Sequence, residues 1–234
     1  MSVPPHAVEL AQTRPAGVRP SRYSVALNAL PLAMIAAGVA LVWLVEGTSA
    51  RVAAAIAWIY LLPPLAARLA VAVLGAPSGE NLTEDTRAYR VWWLLAQLQA
   101  PFNRFPLLEE ALRLIPGAYA GWLNLWGSHV SALVYWGPGA IVLDRHALTI
   151  GRAVVIGTRS VVSGHLATKD EAGTFRVTLA PVTIGDGVLI GVYAGIGPGC
   201  VIDAGSEVPA VALLRPYTRW TGDRWVRMGR PQNV

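Results

Sequence analysis

Branched apolar residues recur every six positions along the last third of the chain. They stand at Ile184, Ile190, Ile196, Ile202, Val208 and Leu214. Two positions before the first five members runs a second ladder, mostly of small residues: Val182, Val188, Ala194, Cys200 and Ser206. Glycine follows the first three members, at Gly185, Gly191 and Gly197. A period of six is neither the 3.6 of a helix nor the 2 of an ordinary strand, and it indicates a hexapeptide repeat.

Six residues make one short strand and one tight turn, and three such units close a triangular coil. Successive coils stack as a parallel β-helix. We expect the branched ladder to fill the interior and the glycines to supply positive φ angles at the corners. Cys200 falls on the small ladder and is predicted to be a buried wall residue. As the only cysteine of the chain, it has no partner for an intramolecular disulfide.

The same period begins upstream, at Ile150, Ile156 and Val162, and then stops until Ile184. Residues 163 to 181 hold the only lysine of the chain and two adjacent acids, and they lack the glycine period. This segment is predicted to be a loop extruded from the coil. Insertions into a repeat often carry function, so the loop is the first place to look for chemistry.

The N-terminal part of the chain has a different pattern. Residues 25 to 45 carry no charge, which gives about the 20 apolar residues that a membrane-spanning helix needs. A second apolar run over 52 to 74 is interrupted by Pro63, Pro64 and Arg68. We predict two transmembrane helices joined by a short hairpin. A secretory signal for the first run, and a re-entrant or kinked segment for the second, are the alternatives.

Basic residues give the predicted orientation. One arginine, Arg51, stands in the hairpin, while several flank the two runs: Arg14, Arg19 and Arg22 before them, and Arg68, Arg87, Arg90 and Arg104 within or after the second. By the positive-inside rule both ends face the cytoplasm. The predicted β-helix is therefore cytoplasmic, and the predicted location is the bacterial inner membrane, crossed more than once.

A region rich in aromatic residues connects the membrane runs to the repeat. Thr83 followed by two acids predicts a helix N-cap, and a short helix is predicted over residues 107 to 115. Seven aromatic residues crowd here: Tyr89, Trp92, Trp93, Trp122, Trp126, Tyr135 and Trp136. They suit the headgroup level of a membrane, an acyl-chain channel or a helical collar packed on the first coil.

The predicted architecture is mainly β, with two transmembrane helices and a helical collar before the β-helix. Its parts are a cytoplasmic N-terminal segment (1–22), a transmembrane hairpin (23–76), the collar (77–131) and the hexapeptide-repeat domain (132–234). Composition agrees, since 54% of residues are hydrophobic and 14% charged. The net charge of +5 comes almost wholly from arginine. Without a nucleic-acid-binding motif, the late arginines better suit lipid headgroups or the phosphates of a nucleotide-like donor.

Several motifs together resemble hexapeptide-repeat acyltransferases, whose β-helix is left-handed. They are the ladder over 150 to 214, the Ser163-Gly164-His165 that opens the extruded segment, the returning Ala-Pro-Val-Thr-Ile-Gly-Asp-Gly and the closing Met228-Gly-Arg-Pro-Gln. The chain looks most similar to O-acetyltransferases of the xenobiotic, maltose and colanic-acid type. Its end resembles the family's Gly-Asn-Pro-Ala-Lys tail, with Asn233 in place of the lysine. The resemblance covers about residues 135 to 234 and excludes the two apolar runs.

The resemblance implies a homotrimer with active sites in the clefts between β-helices. A loop histidine, here His165, would be the general base towards an acceptor hydroxyl, and the acyl-CoA arm would lie along the coil edges. The expected donor-binding residues are Gly191, Gly197, Arg215, Arg227 and Arg230, and the expected substrate-binding residues are Ser163, Arg176 and Trp126. Acyl-CoA is a co-substrate, so no bound cofactor is expected.

The chemistry of acyl transfer agrees with these assignments. Attack by an alcohol on a thioester needs a base that titrates near neutral pH, as unperturbed histidine does, and a backbone N–H donor for the oxyanion. His129 and His146 lie elsewhere, so there is no close histidine pair of the kind that a zinc-dependent carbonic anhydrase would require, and no metal is expected.

Two functions remain open from the sequence. The first is a membrane-anchored acyltransferase that acts on a hydroxyl or amine of a lipid, a lipid-linked sugar or a polysaccharide precursor. The second is a non-catalytic trimeric scaffold. Acetyl and longer acyl groups, and CoA and acyl-carrier-protein donors, are not distinguished.

Overall fold

The computed structural model describes residues 21–228. Helices come first and short strands follow. The helical part consists of α1 (Arg22–Asn28), α2 (Leu30–Leu44), α3 (Thr48–Tyr60), α4 (Leu62–Leu74), the strand β1 (Gly79–Leu82), α5 (Arg87–Arg104), α6 (Leu107–Arg113) and α7 (Ala118–Trp126).

The remaining strands form the coil, a hairpin, and a last strand that pairs antiparallel with the final coil strand. They are β2 (His129–Val130), β3 (Tyr135–Trp136), β4 (Ile141–Val142), β5 (Leu148–Ile150), β6 (Val155–Ile156), β7 (Val161–Val162), β8 (His165–Lys169), β9 (Phe175–Leu179), β10 (Val182–Ile184), β11 (Leu189–Ile190), β12 (Gly195–Ile196), β13 (Val201–Ile202), β14 (Glu207–Val208), β15 (Leu213–Leu214), β16 (Thr218–Trp220) and β17 (Trp225–Arg227). The hairpin consists of β8 and β9, and the last strand, β17, pairs with β16.

Three parallel sheets form the faces of the coil. One contains β2, β5, β10, β13 and β16, the second β3, β6, β11 and β14, and the third β4, β7, β12 and β15. Every member of the branched ladder from Ile184 to Leu214 is buried, as are the small-ladder residues, Cys200 among them. The predicted parallel β-helix and its interior are therefore confirmed. Its first strand, at His129, lies three residues before the predicted boundary at 132.

The spacing between stacked strands shows where the coil departs from regularity. Thr183 pairs with Val201, and Val201 with Arg219, so a regular turn of the coil takes 18 residues. His129 pairs with Thr149 after 20 residues, and Thr149 pairs with Thr183 after 34. The extra residues lie between β4 and β5 and between β7 and β10, which is the same corner of two successive turns. We call residues 143–147 the first corner insertion and residues 163–181 the second.

The second corner insertion is a β-hairpin, where the sequence predicted a loop. Strands β8 and β9 pair antiparallel, with His165 opposite Leu179 at the base. Strand β1 adds to the outer side of β9 and extends the sheet to three strands. The hairpin also packs on the start of α5, where Val177 and Leu179 contact Trp92 in a small apolar cluster. It is therefore held between the coil and the collar.

The ladder glycines serve a different purpose from the one predicted. A Cβ on Gly191 would lie 2.3 Å from the backbone nitrogen of Ala210, and one on Gly197 would lie 2.9 Å from the carbonyl oxygen of Leu214. Neither glycine has a positive φ, whereas Gly187 and Gly199 do. Close approach of the next turn of the coil, not backbone angle, therefore requires glycine in the ladder.

Two helical stretches, Arg22–Leu44 and Thr48–Leu74, are long and apolar enough to cross a membrane by length and composition. The second consists of α3 and α4, which are separated at Leu61, two residues before the first of the two prolines at the start of α4. Collar residues hold it in place: Trp122 Nε1 donates to the carbonyl oxygen of Tyr60 at 2.9 Å, and Arg68 donates to that of Asn124 at 3.2 Å.

The collar differs from the prediction at two helix ends. Helix α5 starts at Arg87, and its N-cap is Thr86, whose side chain accepts from the backbone N–H of Tyr89. Thr83 and the two acids lie in the preceding turn. Helix α6 ends at Arg113, two residues earlier than predicted. The collar packs through Trp126 and Phe102 into the same core as the coil.

Candidate active site

A histidine and an aspartate meet where the two corner insertions stack. His165 Nδ1 lies 2.7 Å from Asp144 Oδ2. Asp144 belongs to the first corner insertion, and His165 begins the hairpin of the second. The two residues are 21 positions apart in sequence. The stacking of the corner insertions accounts for the contact.

Asp144 is buried among hydrogen-bond donors. Its Oδ2 accepts from the backbone N–H of Gly164 at 2.8 Å, and its Oδ1 accepts from Trp92 Nε1 at 3.3 Å. Burial acts to raise the pKa of this carboxyl. The hydrogen bonds from His165 and from the Gly164 N–H contribute to outweighing burial and hold the pKa of Asp144 below its usual value. The carboxylate is therefore ionised near neutral pH.

This charge fixes the tautomer of His165. An ionised carboxylate only accepts hydrogen bonds, so Nδ1 of the imidazole carries the proton that Asp144 accepts. Nε2 then keeps its lone pair and can take a proton. The His165 side chain is 26% exposed, and the ring of Trp92 lies 5.0 Å from it, centroid to centroid. The site thus offers an oriented base with access to solvent.

Ser163 shapes the turn into the hairpin. Its hydroxyl donates to the carbonyl oxygen of His165 at 2.7 Å and accepts from the His165 backbone N–H at 3.3 Å. Ser163 is almost fully buried. In this arrangement its side chain holds the backbone of the base.

Arg145 clamps the first corner insertion to the collar. It is 1% exposed, and its Nε lies 2.5 Å from Glu109 Oε1 on α6. On α5, Asn103 accepts from Nη2 at 2.9 Å, and Gln99 accepts from the Arg145 backbone N–H at 2.7 Å. The residue that follows Asp144 is therefore fixed by two helices of the collar, and this also fixes the backbone that presents the carboxylate.

His146 lies beside the same pair. Its Nδ1 is buried and has no hydrogen-bond partner among the described residues. Burial and the neighbouring His165 lower the pKa of His146, while Asp144 acts to raise it. His146 is thus neutral near pH 7.

A cavity of about 670 Å³ brings two of the predicted donor-binding arginines together. Arg215 and Arg227 line it with Leu166 and Thr168 of β8 and with Thr178 of β9. We call it the basic cavity. It lies on the hairpin that begins with His165. Gly191 and Gly197 lie outside its lining, and Arg230 lies outside the described residues.

The other predicted substrate residues are placed apart from the base. Arg176 lies on β9 and pairs with Asp170 of the same hairpin at 2.9 Å. Trp126 is fully buried, with its ring 5.9 Å from that of Phe102. It is a core residue with no surface free for a substrate, and this corrects its prediction as a substrate contact.

Asp144, Trp92 and Arg145 were missed by the sequence analysis. A signal for Asp144 and Arg145 existed in part. Hydrophobic positions run six apart at Val130, Trp136 and Val142, but the next one, Ile150, follows after eight residues. That extra length marks a second departure from the repeat, and Asp144 lies within it. Among residues 21–228, no three or more His, Cys, Asp or Glu side chains are placed to share a metal ion.

No family model matches the chain, and no curated protein matches it in sequence. Its fold is similar to several solved structures. A hexapeptide-repeat acetyltransferase from Vibrio cholerae is 19% identical over 55% of this chain and 90% of its own, with a TM-score of 0.35. A galactoside acetyltransferase in complex with coenzyme A is 17% identical over 55% of this chain and 82% of its own, with a TM-score of 0.33.

A maltose O-acetyltransferase from Clostridium difficile 630 is 14% identical over 57% of this chain and 89% of its own, with a TM-score of 0.24. At these values the functional assignment depends on the residues of this chain. All three of these proteins are acetyltransferases by name, and the one from Vibrio cholerae is described as containing hexapeptide repeats.

Proposed function

We propose that the protein is a membrane-anchored acyltransferase that moves an acyl group from acyl-CoA to a hydroxyl or amine. The observation that carries this proposal is the pair of His165 and Asp144, a buried carboxylate that orients a partly exposed imidazole. A non-catalytic scaffold would gain nothing from such a pair at the corner that carries both insertions. An acyltransferase needs it as the general base.

The reaction follows from the free nitrogen of the imidazole. Nε2 of His165 removes the proton of the acceptor as its oxygen or nitrogen attacks the thioester carbonyl, and a tetrahedral oxyanion forms. When the C–S bond breaks, the proton passes from the imidazolium to the departing sulfur. The products are the acylated acceptor and free CoA. Asp144 stabilises the imidazolium between these steps, because its negative charge lies 2.7 Å away.

The basic cavity is the proposed donor site. Its arginines, Arg215 and Arg227, suit the phosphates of CoA, since charge-assisted hydrogen bonds to phosphate are among the strongest that side chains make. The lining residues Leu166, Thr168 and Thr178 lie on the opposite face of the hairpin from His165, so a thioester arm would reach the base around the edge of the hairpin or in a neighbouring copy of the chain. Arg230 would add a third positive charge, whereas Gly191 and Gly197 lie outside the cavity and face the next turn of the coil.

The acceptor belongs to the membrane in this proposal. The two apolar helical stretches would anchor the protein, and the arginine distribution favours a cytoplasmic coil at the inner membrane of a bacterium. The acceptor is then a lipid, a lipid-linked sugar or a polysaccharide precursor at that leaflet. Three copies would enclose active sites between their coils, in keeping with the acyltransferases that the sequence resembles.

Transfer of a labelled acetyl group tests the proposal. Membranes that contain the protein are supplied with acetyl-CoA carrying a radioactive acetyl group, and the lipid and glycan fractions are separated and counted. We expect a labelled product with the wild-type protein and its loss with His165→Ala and with Asp144→Asn. Equal labelling by the wild type and His165→Ala would contradict the role of His165 as the base, and no labelling above that of membranes without the protein would favour a scaffold.

A further inference from the structure

A second cavity, distant from the basic one, lies among the apolar helices. Its volume is about 620 Å³, within the range of sites that bind small molecules. Its lining includes Gly38 and Val42 of the first candidate span, Trp58 and Pro63 of the second, and Pro101 and Phe102 of α5. We call it the apolar chamber.

Specific residues keep the chamber open. A Cβ on Gly38 would lie 2.5 Å from Trp58 Nε1, so the glycine makes room for the indole ring. The ring is fixed there, because its Nε1 donates to the carbonyl oxygen of Met34 at 3.0 Å. Pro63 lies in the first turn of α4, and Pro101 lies inside α5, where it lacks the backbone N–H of a helical residue.

The lining determines what kind of molecule can bind. The wall is almost wholly apolar, and the indole N–H of Trp58 is already used by a backbone carbonyl. A polar headgroup would lose its hydrogen bonds to water and gain none, so its burial would be unfavourable. A hydrocarbon chain has no hydrogen bonds to water to lose, and the burial of its apolar surface is favourable. The wall also continues the exposed apolar surface of α2, which includes Leu32 and Val39, so an occupant can enter from a bilayer.

We propose that the apolar chamber binds the hydrocarbon chain of a membrane lipid, an inference that depends on the membrane anchor of the proposed function. The chamber and the active site share helix α5. Phe102 lines the chamber, and the centroid of its ring lies 5.7 Å from the Arg145 guanidinium. Trp92, about 15 Å from Phe102 along α5, contacts the ring of His165. A lipid held by its chain in the chamber therefore lies beside α5, the helix that supports the dyad of His165 and Asp144.

Photo-cross-linking in lipid nanodiscs tests this proposal. The probe is phosphatidylglycerol with a diazirine at the end of one acyl chain, and labelled peptides are mapped by mass spectrometry. We expect the probe to label the segment from 101 to 108 in addition to the two spans. Val42→Trp fills the chamber and should lower labelling of that segment at least severalfold. Leu32→Trp, on the same helix but outside the chamber, should leave it unchanged.

Two further measurements separate the possible failures. Moving the diazirine next to the headgroup in the wild-type protein should abolish labelling of 101 to 108, and this readout needs no variant. If the spans are labelled but the segment is labelled equally in Val42→Trp and Leu32→Trp, the lipid is only part of the surrounding bilayer and the chamber proposal is wrong. If neither span is labelled, the membrane anchor fails and the chamber proposal fails with it, while the dyad chemistry stands.

Discussion

From β10 to β16 the coil repeats every 18 residues, whereas the two turns before it carry extra residues, all at one corner. The regular part places isoleucine after isoleucine in the interior and exposes mostly turn residues. The irregular corner contains the pair of His165 and Asp144, the buried Arg145 and the hairpin. Under the proposed function, the repeat supplies stability and the interruptions supply the catalytic residues. Substitutions in the two regions should therefore have effects of different kinds.

The largest expected effect on stability comes from the regular part. Ile190→Ala should lower the free energy of unfolding by about 2–5 kcal/mol, because the residue is fully buried and a cavity would remain. Leu189→Ala, on the outer side of the same strand, should change it by about 0.5 kcal/mol or less. Thermal unfolding in detergent measures both. Similar losses in the two variants would contradict the assignment of the ladder as the core.

Arg145→Met tests the clamp between the corner and the collar. We expect a loss of about 3 kcal/mol, since removal of one partner leaves Glu109 buried without its closest counter-charge. Arg113 and Tyr119 still contact Glu109, so the cost should stay near the lower end of the usual range.

Arg219→Met is the matched control for this clamp. It removes an ion pair with Asp203 that is largely exposed, and it should cost at most about 1 kcal/mol. Unfolding midpoints that fall equally in both variants would show that the clamp adds nothing beyond a surface ion pair.

His165→Ala should reduce activity without a matching loss of stability. We expect kcat to fall about a hundredfold or more, the usual contribution of a positioned base, and KM for acyl-CoA to change little. Release of free CoA thiol with the acceptor measures turnover. His129→Ala, at an exposed position on β2, is the control. A change in KM alone would mean that His165 binds substrate and does not move a proton.

The smallest expected effect is a pH dependence of stability at His146. Its pKa is lowered in the folded protein, so the unfolded chain binds more protons once the pH falls below the usual histidine value of about 6.5. Stability should therefore fall as the pH drops from 7.5 to 5.5, and less steeply in His146→Asn.

Asp144 contributes in a separate window. Its pKa is lowered, so its contribution to stability is lost only as the pH falls below the usual aspartate value of about 3.9.

Parallel curves of stability against pH for the wild type and His146→Asn between pH 7.5 and 5.5 would contradict the neutral, buried state of His146. Because His146 interacts electrostatically with the dyad, it is unsuitable as an inert control for catalysis.

The coil could be predicted from the sequence because each unit of the repeat is local. The six-residue spacing from Ile184 to Leu214 is visible in the sequence itself, and no distant contact is needed to interpret it. The partner of His165 could not be predicted in the same way, since Asp144 reaches it only through the stacking of two corners. Arg145 was less visible still, because its importance depends on helices that precede it by more than 35 residues.

Local ambiguity explains the remaining differences. Glycine is required both for a positive φ and for close backbone approach, and the sequence does not distinguish these needs at Gly191. Thr83 and Thr86 are both good N-caps three residues apart, and the turn that precedes α5 selects the second. The extruded segment has the alternation of a hairpin only at its C-terminal strand, where Val177 and Leu179 are buried.

The clamp at Arg145 also determines how the protein can be divided. A truncation at residue 132 would remove Trp92, which donates to Asp144, together with the three collar side chains that hold Arg145. It would also remove β1, which pairs with the hairpin. The smallest piece that keeps the active corner intact begins at Gly79. A water-soluble version would start there, with polar substitutions on the faces of α5 and α7 that pack on α4 in the full-length protein.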